Sequence, residues 1–395
     1  MKRRQFAKYS LLAASAPSLP VSTLLSSGSA HAALPRKIGL LIPLSGPDAL
    51  YGPSGRNCAD LAVEQINARG GIAGRQIALV VGDAGGGDPP RVVRTARKLL
   101  TEDKVEAFVG LHNSATRVAL VEAFAGKVTY VYTTTYEGGE CARGTYVLGE
   151  TPAQQLRPVI PWLSRTQRLN RWYLIGNDYV WPRGTNAKAK QYIQAYGGTV
   201  VGEKYVPFDW GNFEAIVGAI TAAKADAVLI TLVGSSSIRF NQVFSGQGLA
   251  KSVVRLSTFL DEITLAAVGA AHSANLYSAA GYFAGIRTTA AREFATQYAM
   301  RFGADAAPLN VTGQACYEGV RLLEVMGNKA GSLEVDKLEG IAQWQYTDGP
   351  RGFTVMHDRH AVRDIYLAKA EGTTFQVVKT FEAVNPGEDC KRVNE

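Results

Sequence analysis

The segment KIGLLIPLSGPDALYGPSGRNCADLAVEQINARGGIAGRQIALVVGD, Lys37 to Asp83, sets the architecture. It opens on a short apolar run, KIGLLIPL, closes on another, QIALVVGD, and carries a helical pattern between them. The spacing predicts a strand, a helix from about Pro53 to Ala68 stopped at Gly70-Gly71, and a second strand. Two apolar strands separated by a helix are the unit of a parallel sheet with helices on its faces.

The same alternation extends outward. PPRVVRTARKLLTE reads as a helix, VEAFVG as a strand, Ser114 to Ala125 as a helix and VTYVY as a strand. After a Pro-containing break near Thr151 the rhythm restarts with the strands RWYLIGND, TVVGEKYV, ADAVLITLVG and RLSTFL, each followed or preceded by a helical run. Beyond LYSAAGYF the pattern is mainly helical, from about Thr288 to Gln343, and HAVRDIYLAKA and TTFQVVKTF close the chain as a hairpin turning at Glu371-Gly372. Two similar βα halves with a helical return predict an α/β protein of two lobes. Its ligands would sit at the carboxyl ends of strands.

Composition narrows the class. The 395 residues are 46% hydrophobic and 19% charged, a balance that supports a packed core. The first 32 residues read as an export signal: basic MKRRQFAK, a mildly apolar stretch, and Ala30-His31-Ala32 before a cleavage at Ala33. Arg3 and Arg4, with Phe6 and Lys8, match the twin-arginine pattern, and plain signal-peptide charge for the general secretory route is the alternative. Removing the four basic residues of that segment leaves 38 basic against 34 acidic, a net charge of +4. No basic cluster with interleaved aromatics points to nucleic acid, and after the signal no apolar run is long enough to span a membrane.

Cys58, Cys141, Cys316 and Cys390 form no C-x-x-C pair and lie at no metal-ligand spacing from a histidine. They permit one or two disulfides in any of three complete connectivities, and Cys58 and Cys316 fall in helical patterns as small buried residues. Twin-arginine cargo folds before export, so an obligatory disulfide is not expected. His357 and His360 in HDRH lack a helix and a third ligand, so no metal is expected there. No G-x-S-x-G elbow exists, GSSS (Gly234–Ser237) reads as a helix start, and GDAGGGDPP lacks the Lys-Ser/Thr of a phosphate loop. These absences argue against an enzyme and call for no cofactor.

Candidate ligand contacts gather at strand ends. Ser114, with Asn113 as the alternative cap, opens a helix whose free N–H groups suit a carbonyl or carboxylate. Thr133, Thr134 and Thr135 end the next strand. In the second half, Asp178 is placed to cap a helix starting near Pro182, leaving Tyr179 and Trp181 in a loop facing the cleft as aromatic walls.

Taken in order, IGLLIPLSG…YG, AVEQINARGGIAGRQIALVVGDAGGGDP, VGLHNSATRVAL, YEGGE, IGNDYVWPRGTN, YGGTVVGEKYVPF and GPRGFTVMHDRHAVRDIYLAKAEG resemble the type I periplasmic solute-binding proteins of ATP-driven importers. The resemblance runs from Lys37 to Phe381, and YEGGE and NDYVWPR draw it toward the short-chain amide and urea receptors, beside the branched-chain amino acid receptors. It implies a periplasmic receptor that closes by a hinge on a small polar solute and delivers it to a membrane permease. It also implies lobe boundaries: signal 1–32, first lobe 33–150, second lobe 151–280, helices returning to the first lobe over 281–345, and terminal strands and tail of the second over 346–395. The implied contacts are His112, Asn113, Ser114, Tyr132, Thr134, Thr135, Tyr179 and Trp181. His112 stands where that branch carries Tyr or Trp, and Thr135 where Pro is common, so this site is the more polar one. An amino acid ligand would need an acid for its ammonium, and Asp261 or Glu262 is placed to supply it. A sensing subunit for a membrane regulator and an amide hydrolase are the competing roles.

Overall fold

The computed structural model describes residues 34–85, 87–339, 341, 345–387 and 390; the expected signal and its arginine pair lie outside them. β1 (Arg36–Ile42) is buried at every position but Lys37, as a strand covered on both faces should be. It pairs in parallel with β2 (Ile77–Asp83) on one side and β3 (Ala107–Gly110) on the other. β4 (Thr129–Tyr132) and β5 (Thr145–Val147) extend the sheet to the order β2-β1-β3-β4-β5. Helices α1 (Gly52–Ala68), α2 (Pro89–Thr101) and α3 (Ser114–Phe124) connect them. α1 stops where expected: a Cβ on Gly71, at φ +82°, would lie 1.9 Å from the Arg75 carbonyl oxygen. Asp88 caps α2, accepting from the Arg91 N–H, with Pro89 in the first turn.

The apparent break near Thr151 is helical. α4 (Pro152–Gln155) starts with a capping box between Thr151 and Gln154, and α5 (Val159–Gln167) follows. The second sheet then repeats the first. β6 (Arg171–Asn177) lies between β7 (Thr199–Val206) and β8 (Ala227–Thr231), and β9 (Val254–Ser257) and β10 (Leu276–Ala280) continue beyond β8. Its helices are α6 (Val180–Ala195), α7 (Glu214–Ala222), α8 (Gly234–Gly246) and α9 (Glu262–Val268). α10 (Thr289–Phe302) and α11 (Val311–Ala330) pack back on α1, followed by α12 (Val335–Glu339).

One strand belongs to both sheets. In β13 (His360–Glu371), His360 pairs with Val147 of β5, while Tyr366 to Lys369 pair antiparallel with β10. β11 (Gln345–Gly349) and β12 (Gly352–His357) attach at its β5 end, and β14 (Thr374–Val384) forms the terminal hairpin with it. The chain therefore passes between the sheets three times: from β5 to α4, from β10 to α10, and along β13. In each sheet the first strand is flanked by the second and third. Loops leaving such a reversal diverge to opposite faces and open a crevice at the carboxyl ends.

Cys141 and Cys390 form a disulfide, and Cys58 and Cys316 are buried free thiols.

Candidate functional site

Both crevices contribute to one cavity. The first sheet supplies Asp48 and Tyr51 after β1, Leu111 to Ser114 after β3, and Thr134 and Thr135 after β4. The second supplies Tyr179 and Trp181 at the start of α6, Val233 after β8, and Phe259 after β9. The space is about 350 Å³, counting the part open to solvent, within the size range of small-molecule sites. Seven candidates from the sequence line it: His112, Asn113, Ser114, Thr134, Thr135, Tyr179 and Trp181. Tyr132 and Asp261 do not.

The threonine row divides by side. Thr133 donates to the Gly110 carbonyl at 2.9 Å and so ties β4 to β3. Thr134 Oγ1 accepts from the His112 N–H at 3.2 Å, which leaves its own proton available to the cavity. Thr135 Oγ1 lies 2.8 Å from both the Glu150 carbonyl and Gln155 Oε1. Tyr132 is a floor beneath the site, with its hydroxyl donating to the His112 carbonyl at 2.9 Å.

His112 is a neutral wall. Its Nδ1 lies 3.1 Å from the Asn113 carbonyl and its Nε2 2.9 Å from the Tyr130 hydroxyl, so both ring nitrogens are engaged within the protein. Burial pushes its pKa down to about 4, with the nearby Arg117 acting in the same direction. Arg117 is itself held by Glu137, at 2.7 Å, and by Glu140, and its guanidinium lies over the Tyr136 ring. YEGGE thus braces the first turns of α3 and offers the cavity no charge. Aromatic contacts join the lobes: Tyr51 meets Phe259 at 5.3 Å between centroids, Phe259 meets Trp181 at 5.6 Å, and Trp181 meets Tyr179 at 6.1 Å.

The structure resolves the choice of cap at α3. Asn113 accepts from the Thr116 N–H at 2.9 Å, and Ser114 is the first helical residue. Ser114 is 1% exposed and its Oγ has no hydrogen-bond partner. The Tyr132 hydroxyl stands near it; its proton goes to the His112 carbonyl, which leaves its oxygen as an acceptor within the protein for the Ser114 hydroxyl. Two more atoms of cavity-lining residues are buried without partners: Trp181 Nε1, a donor, and Asp48 Oδ1, an acceptor. Burial, and then the Asp209 carboxylate of the second lobe, raise the Asp48 pKa to about 6. Asp48, Tyr51, Val233 and Phe259 went unread in the sequence, although all four sit at strand ends as the crevice rule requires.

Two expectations need correction. Asp261 caps α9, accepting from the Thr264 N–H at 2.9 Å, and lies outside the cavity wall; Glu262 accepts from the Ala284 N–H at 2.7 Å. Neither lines the cavity, because the loop after β9 offers Phe259 to it and turns directly into the helix; Asp261 Oδ2 and Glu262 Oε2 stay buried without hydrogen-bond partners. Asp178 caps nothing; it pairs with Arg183 at 2.7 Å, and Tyr179 occupies the cap position without a side-chain bond. Asp261→Asn should accordingly leave stability within about 0.5 kcal/mol, and Asp261→Ala should cost about 0.5–2 kcal/mol, the range for a lost cap. Denaturant titration checks both values, and ligand affinity should be the same in both variants.

The chain is similar to known proteins along most of its length. A family model described as periplasmic binding protein matches residues 35–374. Leu/Ile/Val-binding protein homolog 7 of Brucella melitensis is 28% identical over 248 residues, which is 60% of this chain and 61% of that protein. Leu/Ile/Val-binding protein BraC3 of Rhizobium johnstonii is 29% identical over 213 residues, 53% of this chain and 57% of that one. The chain thus spans about three fifths of the curated relatives it matches. Among solved structures, a solute-binding protein from R. palustris in complex with 4-hydroxybenzoate superposes with a TM-score of 0.78 at 22% identity, covering 89% of this chain and 98% of that one. The branched-chain amino acid binding protein LivJ of Streptococcus pneumoniae, in complex with isoleucine, gives 0.76 at 20% identity, over 88% and 99%. At these identities the structural likeness speaks to the fold.

Proposed function

The chain belongs to the periplasmic binding protein family, and from that premise we propose that it is the exported receptor of an ATP-driven importer, holding a small polar solute in the cavity between its lobes. It is a binding protein and not an enzyme. The carrying observation is the buried Ser114 Oγ at the free amino end of α3, in a cavity also lined by Trp181, whose buried Nε1 has no hydrogen-bond partner. Trp181 Nε1 can only donate and the Ser114 hydroxyl can donate, so a ligand carbonyl or carboxylate oxygen is a group that either can meet. Tyr51, Tyr179, Trp181 and Phe259 supply apolar walls that exclude water around that oxygen.

Two ligand classes present such an oxygen next to an N–H group. Short-chain amides and urea are favoured by the resemblance of YEGGE and NDYVWPR. A small α-amino acid is favoured by the relatives, which are Leu/Ile/Val-binding proteins. Delivery to a permease and export by the twin-arginine route complete the reading.

The separation of cap from contact makes the test clean. Ser114→Ala should leave folding stability nearly unchanged, because Asn113 carries the cap, while weakening ligand binding by about 1–3 kcal/mol. Asn113→Ala should do the reverse and cost about 1 kcal/mol of stability. Calorimetry with acetamide, urea and leucine, alongside thermal melts, separates the two. A ligand that binds Ser114→Ala as tightly as the parent would sink the assignment.

A further inference from the structure

We propose that Asp48 is the specificity-determining residue of this cavity, accepting an N–H from the ligand, so that the receptor takes amides, amidines or ammonium compounds and rejects simple carboxylates of the same shape. The inference rests on the receptor reading above and identifies the group that complements its acceptor-binding end.

The chemistry is one of unmatched groups. Three buried atoms of cavity-lining residues lack partners: Ser114 Oγ and Trp181 Nε1 can donate, and Asp48 Oδ1 can only accept while ionised. A ligand bearing only acceptors would satisfy the first two and leave the buried Oδ1 of the half-buried Asp48 carboxylate without a donor, beside a second negative group. Among the described residues no lysine or arginine lines the cavity to relieve that repulsion. The groups facing Asp48 are Asp209 from the loop after β7, the Tyr51 phenol at the start of α1, and the Tyr179 phenol at the start of α6. Burial holds both phenols in the neutral form, and His112 is neutral and fully engaged. Asp209 is occupied by Ser235, whose hydroxyl donates to it. The missing partner of Asp48 is therefore a donor brought by the solute. The placement also couples recognition to closure. Asp48 stands on the first lobe and Asp209 on the second, so bringing the lobes together sets two carboxylates near each other until a donor or a proton lies between them.

Because the Asp48 pKa stands at about 6 in the unliganded cavity, an ammonium ligand must displace a proton below that pH. Its affinity should fall as pH drops through about 6, whereas a neutral amide should bind with little change.

The test uses matched pairs on the intact protein: acetamide against acetate, benzamide against benzoate, leucine against 4-methylpentanoate, each titrated by calorimetry at pH 7.5 and 5.5. In the parent, the N–H-bearing member of a pair should bind at least about tenfold more tightly, and Asp48→Leu should erase that preference. Asp48→Asn should weaken leucine by roughly 30-fold or more and spare acetamide, since a neutral donor is met by either oxygen. Thermal melts confirm that each variant is folded. Asp48→Asn and the parent pH profile stand in if Asp48→Leu is not. Benzoate or acetate binding as tightly as its amide, with an affinity still lost in Ser114→Ala, would keep the receptor reading and overturn the role of Asp48. A preference unchanged by Asp48→Leu overturns it as well. Binding by the carboxylates alone overturns the role of Asp48, and absence of binding by every member of every pair overturns both.

Discussion

Replacing Arg351 by alanine should destabilise the protein by about 3–5 kcal/mol, the cost of leaving buried carboxylates without their cation. Arg351, on the turn between β11 and β12, lies 2.5 Å from Glu150 and 3.4 Å from Glu318 and also bonds Gln314 of α11. Arg363 of β13 approaches the same two acids at 3.7 and 3.8 Å. All four charged side chains are 3% exposed or less, so solvent screens none of them. The site of the cluster gives it a second role. Glu150 sits on the first passage between the sheets, Gly281 on the second and Arg363 on the third, and the Gly281 N–H donates to Glu150 at 3.2 Å. A Cβ on Gly281 would lie 2.3 Å from Glu150 Oε1 and 2.4 Å from Arg351 Nη1, so the three passages converge on one carboxylate. With Arg351 removed, Glu150 and Glu318 are left, among the described residues, with Arg363 as their shared cation in a buried site. Urea titration should show the midpoint falling sharply, with Glu150→Ala comparably damaging. A loss below 1 kcal/mol would mean that water already reaches the cluster.

The same residues show what the sequence makes legible. Strands such as Ile38 to Ile42 and Ala227 to Thr231 are buried throughout, and an unbroken apolar run betrays them. β5 has three residues and pairs mainly through β4, and its TYV carries no period of its own. β11 and β12 follow a long helical stretch, and their sequence contains the charged and glycine residues of a loop. The capping box of Thr151 and Gln154 was readable by its spacing, but Pro152 read as a break where it is the first residue of a helix. In the cavity, the strand-end rule found His112, Ser114 and the threonines. It applies equally to β1, where it would have found Asp48 and Tyr51. Asp261 lies off the cavity because a carboxylate before a helix has two uses, and here its Oδ1 serves the cap at Thr264. Tyr132 misled because alternation along β4 puts it under His112 and away from the cavity.

Breaking the disulfide between Cys141 and Cys390 should lower stability by about 2–5 kcal/mol without preventing folding. The half-cystines are 249 residues apart, so the bond closes one long loop that contains most of the described chain. Constraining so long a loop removes conformations from the unfolded chain, and the entropic estimate for that length is about 5 kcal/mol. Folding should proceed without it, because the residues of both cores, those of the terminal strands included, end at Phe381, ahead of Cys390. The bond also lies next to the site's support: Cys141 follows Glu140, which holds Arg117 on α3. Cys141→Ser and Cys390→Ser should therefore cost the same amount, the double variant no more than either, and dithiothreitol should reproduce the effect in the parent alone. Thermal melts under oxidising and reducing conditions provide the measurement. If Cys141→Ser also weakened ligand binding where Cys390→Ser did not, the cause would be a disturbed Glu140 and Arg117 pair, and the chain-entropy account would apply to stability only.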